Sequence, residues 1–117
     1  MSVYQNENLI LQLTFDFSLN VMRFCDKLQE AKRFRMADQL WRSGTSIGAL
    51  VQESQNAESK ADFIHKMKIA GKEGDETLYW LKLCKLSEGY PSDDTLLDQI
   101  ISINKIINKI ISTSKRK

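Results

Sequence analysis

At 117 residues, with five glycines, one proline and a formal net charge of +2, the chain has the length of one domain able to bury a modest core. No stretch reaches the roughly 18 consecutive apolar residues of a spanning helix, and Glu7 stands where a signal peptide would be basic and then apolar, so a cytoplasmic setting without membrane contact is expected. A charge this small does not by itself argue for nucleic acid. Cys25 and Cys84, far apart and outside any C-x-x-C pair, fit buried small hydrophobes in a reducing compartment better than a disulfide.

Phe17, Val21, Phe24, Cys25 and Leu28 recur at helical spacing and predict a first helix from about Leu13 to Glu30, with Arg23 and Lys27 at i, i+4. A basic turn, Ala31-Lys32-Arg33, leads to a second helix predicted over 34–56, whose apolar side is Ala37, Leu40, Trp41, Ile47 and Val51. Gly44 and Gly48 share one face of it. Each costs roughly 1 kcal/mol against alanine, which close approach of a neighbouring helix would offset. Gln39, Arg42, Ser46, Ala49, Glu53 and Asn56 form a polar stripe on the same helix.

A third helix is expected over 59–88, with Ser59 as N-cap and Asp62 as its capping-box partner. Gly89-Tyr90-Pro91 stops it, glycine suiting a left-handed C-cap and proline being unable to continue. Its stripe Ile69, Glu73, Glu76, Trp80 and Leu83 sets two carboxylates in an apolar row. Asp93 or Ser92 caps a fourth helix over 93–113. There Leu96, Ile100, Ile103, Ile107 and Ile110 form one stripe, and Leu97, Ile101 and Ile111 form a second, broken by Asn104 and Asn108, with Ile106 further round. So wide an apolar surface exceeds the packing needs of a bundle helix; Leu97, Ile101, Ile106 and Ile111 are therefore candidates for a subunit interface. The pattern is all-α, an antiparallel up-down-up-down four-helix bundle in a single domain.

Arg42, Glu53, Glu73 and Glu76 invite a catalytic reading, since acid/base work needs paired carboxylates in different environments. No nucleophile with an adjacent base accompanies them. A structural polar network of Arg42, Ser46, Glu53, Glu73 and Glu76, partly buried between helices, is the expected role, and removal of Arg42 from a buried network would cost ~3–5 kcal/mol. Glu73-x-x-Glu76 has the spacing of a di-iron motif but lacks its histidine, and His65, the one histidine, lies beside Lys66 and Lys68. No phosphate-binding glycine loop is present. Neither a metal nor a cofactor is expected, and the protein is expected not to be an enzyme.

The run Gln39-Leu40-Trp41-Arg42-Ser43-Gly44-Thr45-Ser46-Ile47-Gly48, then Glu53, Ser59-Lys60-Ala61-Asp62-Phe63-Ile64 and Ala70-x-Lys72-Glu73-x-x-Glu76-Thr77-x-x-Trp80-Leu81, resembles the 23S rRNA intervening-sequence proteins, a four-helix-bundle family. More distantly the chain resembles the accessory variability determinant of diversity-generating retroelements. Gly71 and Gly74 depart from the larger residues or alanine usual there, which puts local helix stability in question. The resemblance implies a ring-shaped homopentamer, and the retroelement likeness implies contact with nucleic acid and a protein partner.

The cations that could serve such contact are Arg23, Lys27, Lys32, Arg33 and Arg35 around the first turn, and Lys105, Lys109, Lys115, Arg116 and Lys117 at the end of the chain. A solvated face, and a helix C-terminus that favours cations, explain them without a ligand. Fivefold repetition would nevertheless raise +2 per chain to about +10, enough for non-specific phosphate contact. The expected function is a non-enzymatic homo-oligomeric adaptor binding structured RNA or DNA through these residues. The alternative is a scaffold for a nucleic-acid-processing protein partner, with no direct nucleic-acid contact.

Overall fold

The computed structural model describes residues 3–116, and side chains from residue 8 onward. Four α-helices account for it: α1 (Val3–Glu30), α2 (Phe34–Ser54), α3 (Lys60–Leu86) and α4 (Asp94–Lys115). Each packs on two others, α1 on α2 and α4, α3 on α2 and α4, so the four surround one core. The described chain measures 48 × 22 × 18 Å.

The first helix begins ten residues before the periodicity suggests. Its buried face continues upstream through Thr14 and Ile10, and the Thr14 hydroxyl donates to the Ile10 carbonyl at 2.7 Å. A threonine that satisfies itself on its own helix can occupy a core position, and there it masks the apolar repeat. The helix ends with the Arg33 amide on the Leu28 carbonyl and the Lys32 amide on the Gln29 carbonyl, a Schellman arrangement. Lys32 sits at the left-handed position with φ 62°, where glycine is usual.

Ser59 caps α3 as expected, its Oγ accepting from the Asp62 amide at 3.0 Å. The reciprocal bond differs: the Asp62 carboxylate accepts from the Glu58 amide. α3 stops at Leu86, two residues short of the expected end. Ser87 is extended, and Gly89 takes its positive φ of 80° in the loop instead of at the helix cap. Asp93 caps α4, accepting from the Leu96 amide.

Close approach is built where the glycines sit. A Cβ on Gly44 would lie 2.8 Å from Val21 Cγ1, and one on Gly48 3.2 Å from the Thr14 carbonyl oxygen, so α1 and α2 meet almost backbone to backbone. On the other side Gly74 lies under the Asn104 side chain, whose buried Oδ1 has no hydrogen-bond partner among the described residues, and Gly71 faces Ile107. Gly74 therefore makes room for α4, whereas a methyl at Gly71 would meet Ile107 only at an ordinary 3.6 Å.

Candidate functional site

The polar residues of α2 and α3 do meet. Arg42 Nη1 pairs with Glu73 at 3.1 and 3.3 Å, and Nη2 reaches Glu76 and, at 3.4 Å, Gln39 Oε1. Trp80 Nε1 donates to Glu76 Oε2 at 3.1 Å, and Ser46 Oγ donates to the Arg42 carbonyl. Two corrections follow. Glu53 is exposed and makes no hydrogen bond or ion pair with a described side chain, because it stands eleven residues beyond Arg42 on the same helix, about 16 Å at ~1.5 Å per residue, out of reach of that guanidinium. The network is also open to solvent: the Arg42 side chain is 50% exposed and Glu76 36%, with only Glu73, at 20%, well covered. An ion pair this wet is worth about 0–1 kcal/mol, well below the buried-network cost expected from sequence.

The buried polar contact between α2 and α3 lies one turn inward. The Ser43 and Thr77 hydroxyls hydrogen-bond at 2.9 Å, and Thr77 Oγ1 donates to the Glu73 carbonyl at 2.8 Å; both residues are fully buried. Sequence reasoning followed the louder charged stripe and missed this pair. The signal was there, since Ser43 falls in the apolar row with Leu40 and Ile47, and Thr77 in the row with Ala70 and Leu81.

The candidate cations fall into two groups that the fold keeps apart. Arg33 packs on the α3–α4 loop, its Nε donating to the Gly89 carbonyl at 3.3 Å and its guanidinium 4.3 Å from the Tyr90 ring centroid. Lys32 and Arg35 adjoin it on the exposed surface, while Arg23 and Lys27 line a polar pocket against the start of α4. Lys105, Lys109, Lys115 and Arg116 belong to the later part of α4, with Lys115 some 30 Å along the helix from Asp94 at ~1.5 Å per residue. All four are exposed and enter no ion pair with a described residue. Lys117 lies outside the described residues.

The wide apolar surface of α4 is mostly spent in the core. Leu96, Ile100, Ile103, Ile107 and Ile110 are buried, and so is Leu97; Ile106 and Ile111 pack half-buried against them. Of the four candidate interface residues Ile101 alone is exposed, since Gly74 of α3 lets α4 approach closely through Asn104. An open apolar surface lies elsewhere, in a groove of about 490 Å³ between α1 and α2 walled by Phe15, Leu19, Met22 and Trp41. The sequence signal for it was the placing of Phe15, Leu19 and Met22 beside the buried row of α1, which widens that stripe beyond what α2 covers.

Burial pushes both thiols up to about 11, with Asp26 adding to the effect at Cys25, so both stay protonated near neutrality. Each cysteine is free and buried, and Cys25 donates to the Ala37 carbonyl at 3.4 Å. The hydrogen bond from Lys66 holds the Asp62 carboxyl below its usual value, and Asp94 raises Lys85. Among the described residues no three His, Cys, Asp or Glu side chains are grouped to hold a metal, and no helix is long and apolar enough to cross a membrane.

Four helices around one core, with a surface ion-pair network between α2 and α3, define a four-helix-bundle protein. The family profile of the 23S rRNA-intervening sequence proteins matches residues 6–111. The chain belongs to that family. A crystal structure described as a protein of unknown function from the S23 ribosomal protein family of Bacteroides thetaiotaomicron is similar at 36% identity and a TM-score of 0.86, covering 92% of this chain and 98% of that one. Comparison with curated proteins finds no match. Both findings point to the 23S rRNA-intervening sequence proteins, and neither supports the likeness to the retroelement accessory protein.

Proposed function

We propose that this protein is a non-enzymatic, cytoplasmic, homo-oligomeric adaptor that binds structured RNA or DNA through phosphate contacts, without reading sequence. The carrying observation is the later part of α4. From Ile100 to the end of the chain there is no acidic residue, while Lys105, Lys109, Lys115 and Arg116 stand exposed and unpaired among the described residues. The short α1–α2 connection, together with each helix packing on its sequence neighbours, supports an up-down-up-down course. Assembly into a ring, with five copies as the resembled family implies, would set five such helix ends side by side.

A filter-binding series with an RNA hairpin and a DNA duplex across salt concentrations tests this. Affinity is expected to fall steeply with salt, and each lysine of Lys105 and Lys109 changed to glutamine is expected to lower the slope by about one. Affinity that ignores salt and these substitutions would overturn the reading.

One observation favours the scaffold reading, in which a nucleic-acid-processing protein is docked and nucleic acid is not touched. The cations divide between two regions of the bundle instead of forming one patch. Under that reading the protein ignores nucleic acid and keeps its partner at high salt.

A further inference from the structure

We infer that the groove between α1 and α2 receives the outer face of α3 from a second copy of this chain, an inference that rests on the oligomeric reading above. The groove is concave and apolar. Phe15, 63% exposed, with Leu19, Met22 and Trp41 forms its walls, and Thr45 and Gly48 lie at its base. Side chains of this size left in water are an interaction surface in waiting. A concave patch cannot fill itself with an identical concave patch, so its partner must be a ridge.

The chain carries one such ridge on another face. Tyr79, Leu83 and Leu86 are exposed along α3, Leu86 at 85%. Their spacing is i, i+4, i+7, the pattern by which a helix anchors in an apolar groove. Their neighbours match in charge. Asp26 and Asp38 lie beside Trp41 in the pocket adjoining the groove, whereas Lys68, Lys72 and Lys82 outnumber Asp75 on the exposed face of α3 and enter no ion pair with a described residue. The carboxylates at the Trp41 end would meet Lys82, which stands one turn from both Tyr79 and Leu86 on the ridge.

Because groove and ridge are different surfaces, each copy offers its groove to one neighbour and its ridge to the other. Such a heterologous contact propagates head to tail and closes into a ring when the rotation between copies permits. The α4 isoleucines are not needed for it.

The experiment measures molar mass by light scattering at micromolar concentration for the wild type, Trp41→Glu and Leu86→Glu, with circular dichroism melts to establish folding. The wild type is expected to be an oligomer and each variant a monomer. Mixed in equal amounts, the variants are expected to form a one-to-one dimer and stop there, since Trp41→Glu keeps its ridge and Leu86→Glu keeps its groove. Should Trp41→Glu fail to fold, Lys82→Glu is expected to lower the mass and a second change, Asp38→Lys in the same chain, to restore it. A monomeric wild type overturns the oligomeric reading. An oligomeric wild type whose mass survives Trp41→Glu or Leu86→Glu, or variants that stay monomeric when mixed, overturns the groove-and-ridge contact alone.

Discussion

The apolar row of α4 and the apolar groove between α1 and α2 differ in a way that periodicity does not reveal. In α4 the isoleucines at 100, 103, 107 and 110 are covered almost completely, and Gly74 of α3, with no side chain of its own, lets the Asn104 turn of the helix sink against it. Between α1 and α2 the glycines act in the opposite sense. Gly44 against Val21 and Gly48 against Thr14 draw the two backbones together, so the core closes beneath Phe15 and Trp41 and leaves them outside. A count of apolar residues on a helix measures how much could be buried. Which part is buried depends on how closely the neighbours approach, and that is set by their smallest residues.

The largest expected effect separates covered from open isoleucine. Ile107→Ala is expected to cost about 2–5 kcal/mol, and Ile101→Ala no more than about 0.5 kcal/mol, by denaturant unfolding; equal costs would erase the distinction. Gly44→Ala is expected to destabilise by about 1–3 kcal/mol, since its methyl would press on the branched Val21 side chain. A thermal melt showing stabilisation would mean that α1 and α2 are not pinned there.

The covered thiols give a pH signature of the same contact zone. Cys25 and Cys84 are raised from 9.0 to about 11 in the folded protein, so their contribution is complete below pH 9.0 and is lost as pH rises toward 11. Stability measured over that window is expected to fall, and to fall less in a Cys25→Ala, Cys84→Ala double variant. Smaller still, Gly71→Ala is expected to stabilise by about 0.8–1 kcal/mol from helix propensity, because the added methyl would sit an ordinary 3.6 Å from Ile107. The open counterpart is Arg42→Ala, expected to cost less than about 1 kcal/mol; a loss of several kcal/mol in chemical denaturation would show the ion pairs to be shielded.

The helix order, the caps at Ser59 and Asp93 and the meeting of Arg42 with Glu73 and Glu76 were legible in the residues, because capping and i, i+3/i+4 spacing are local chemistry. The early start of α1 was not, since Thr14 hides a core position behind a hydroxyl that its own helix satisfies. Nor was the Ser43–Thr77 bond, which depends on two helices facing each other in one register. The groove escaped for the same reason: Phe15 and Trp41 belong to apolar stripes on separate helices, and only their packing decides that neither is covered.

The most direct test of this division is the molar mass of three proteins by light scattering under identical conditions: wild type, Phe15→Glu and Ile101→Glu. The account predicts that Ile101→Glu keeps the wild-type mass, because α4 is already occupied by its own core, and that Phe15→Glu falls to the monomer. An Ile101→Glu protein that dissociates while Phe15→Glu stays assembled would contradict it.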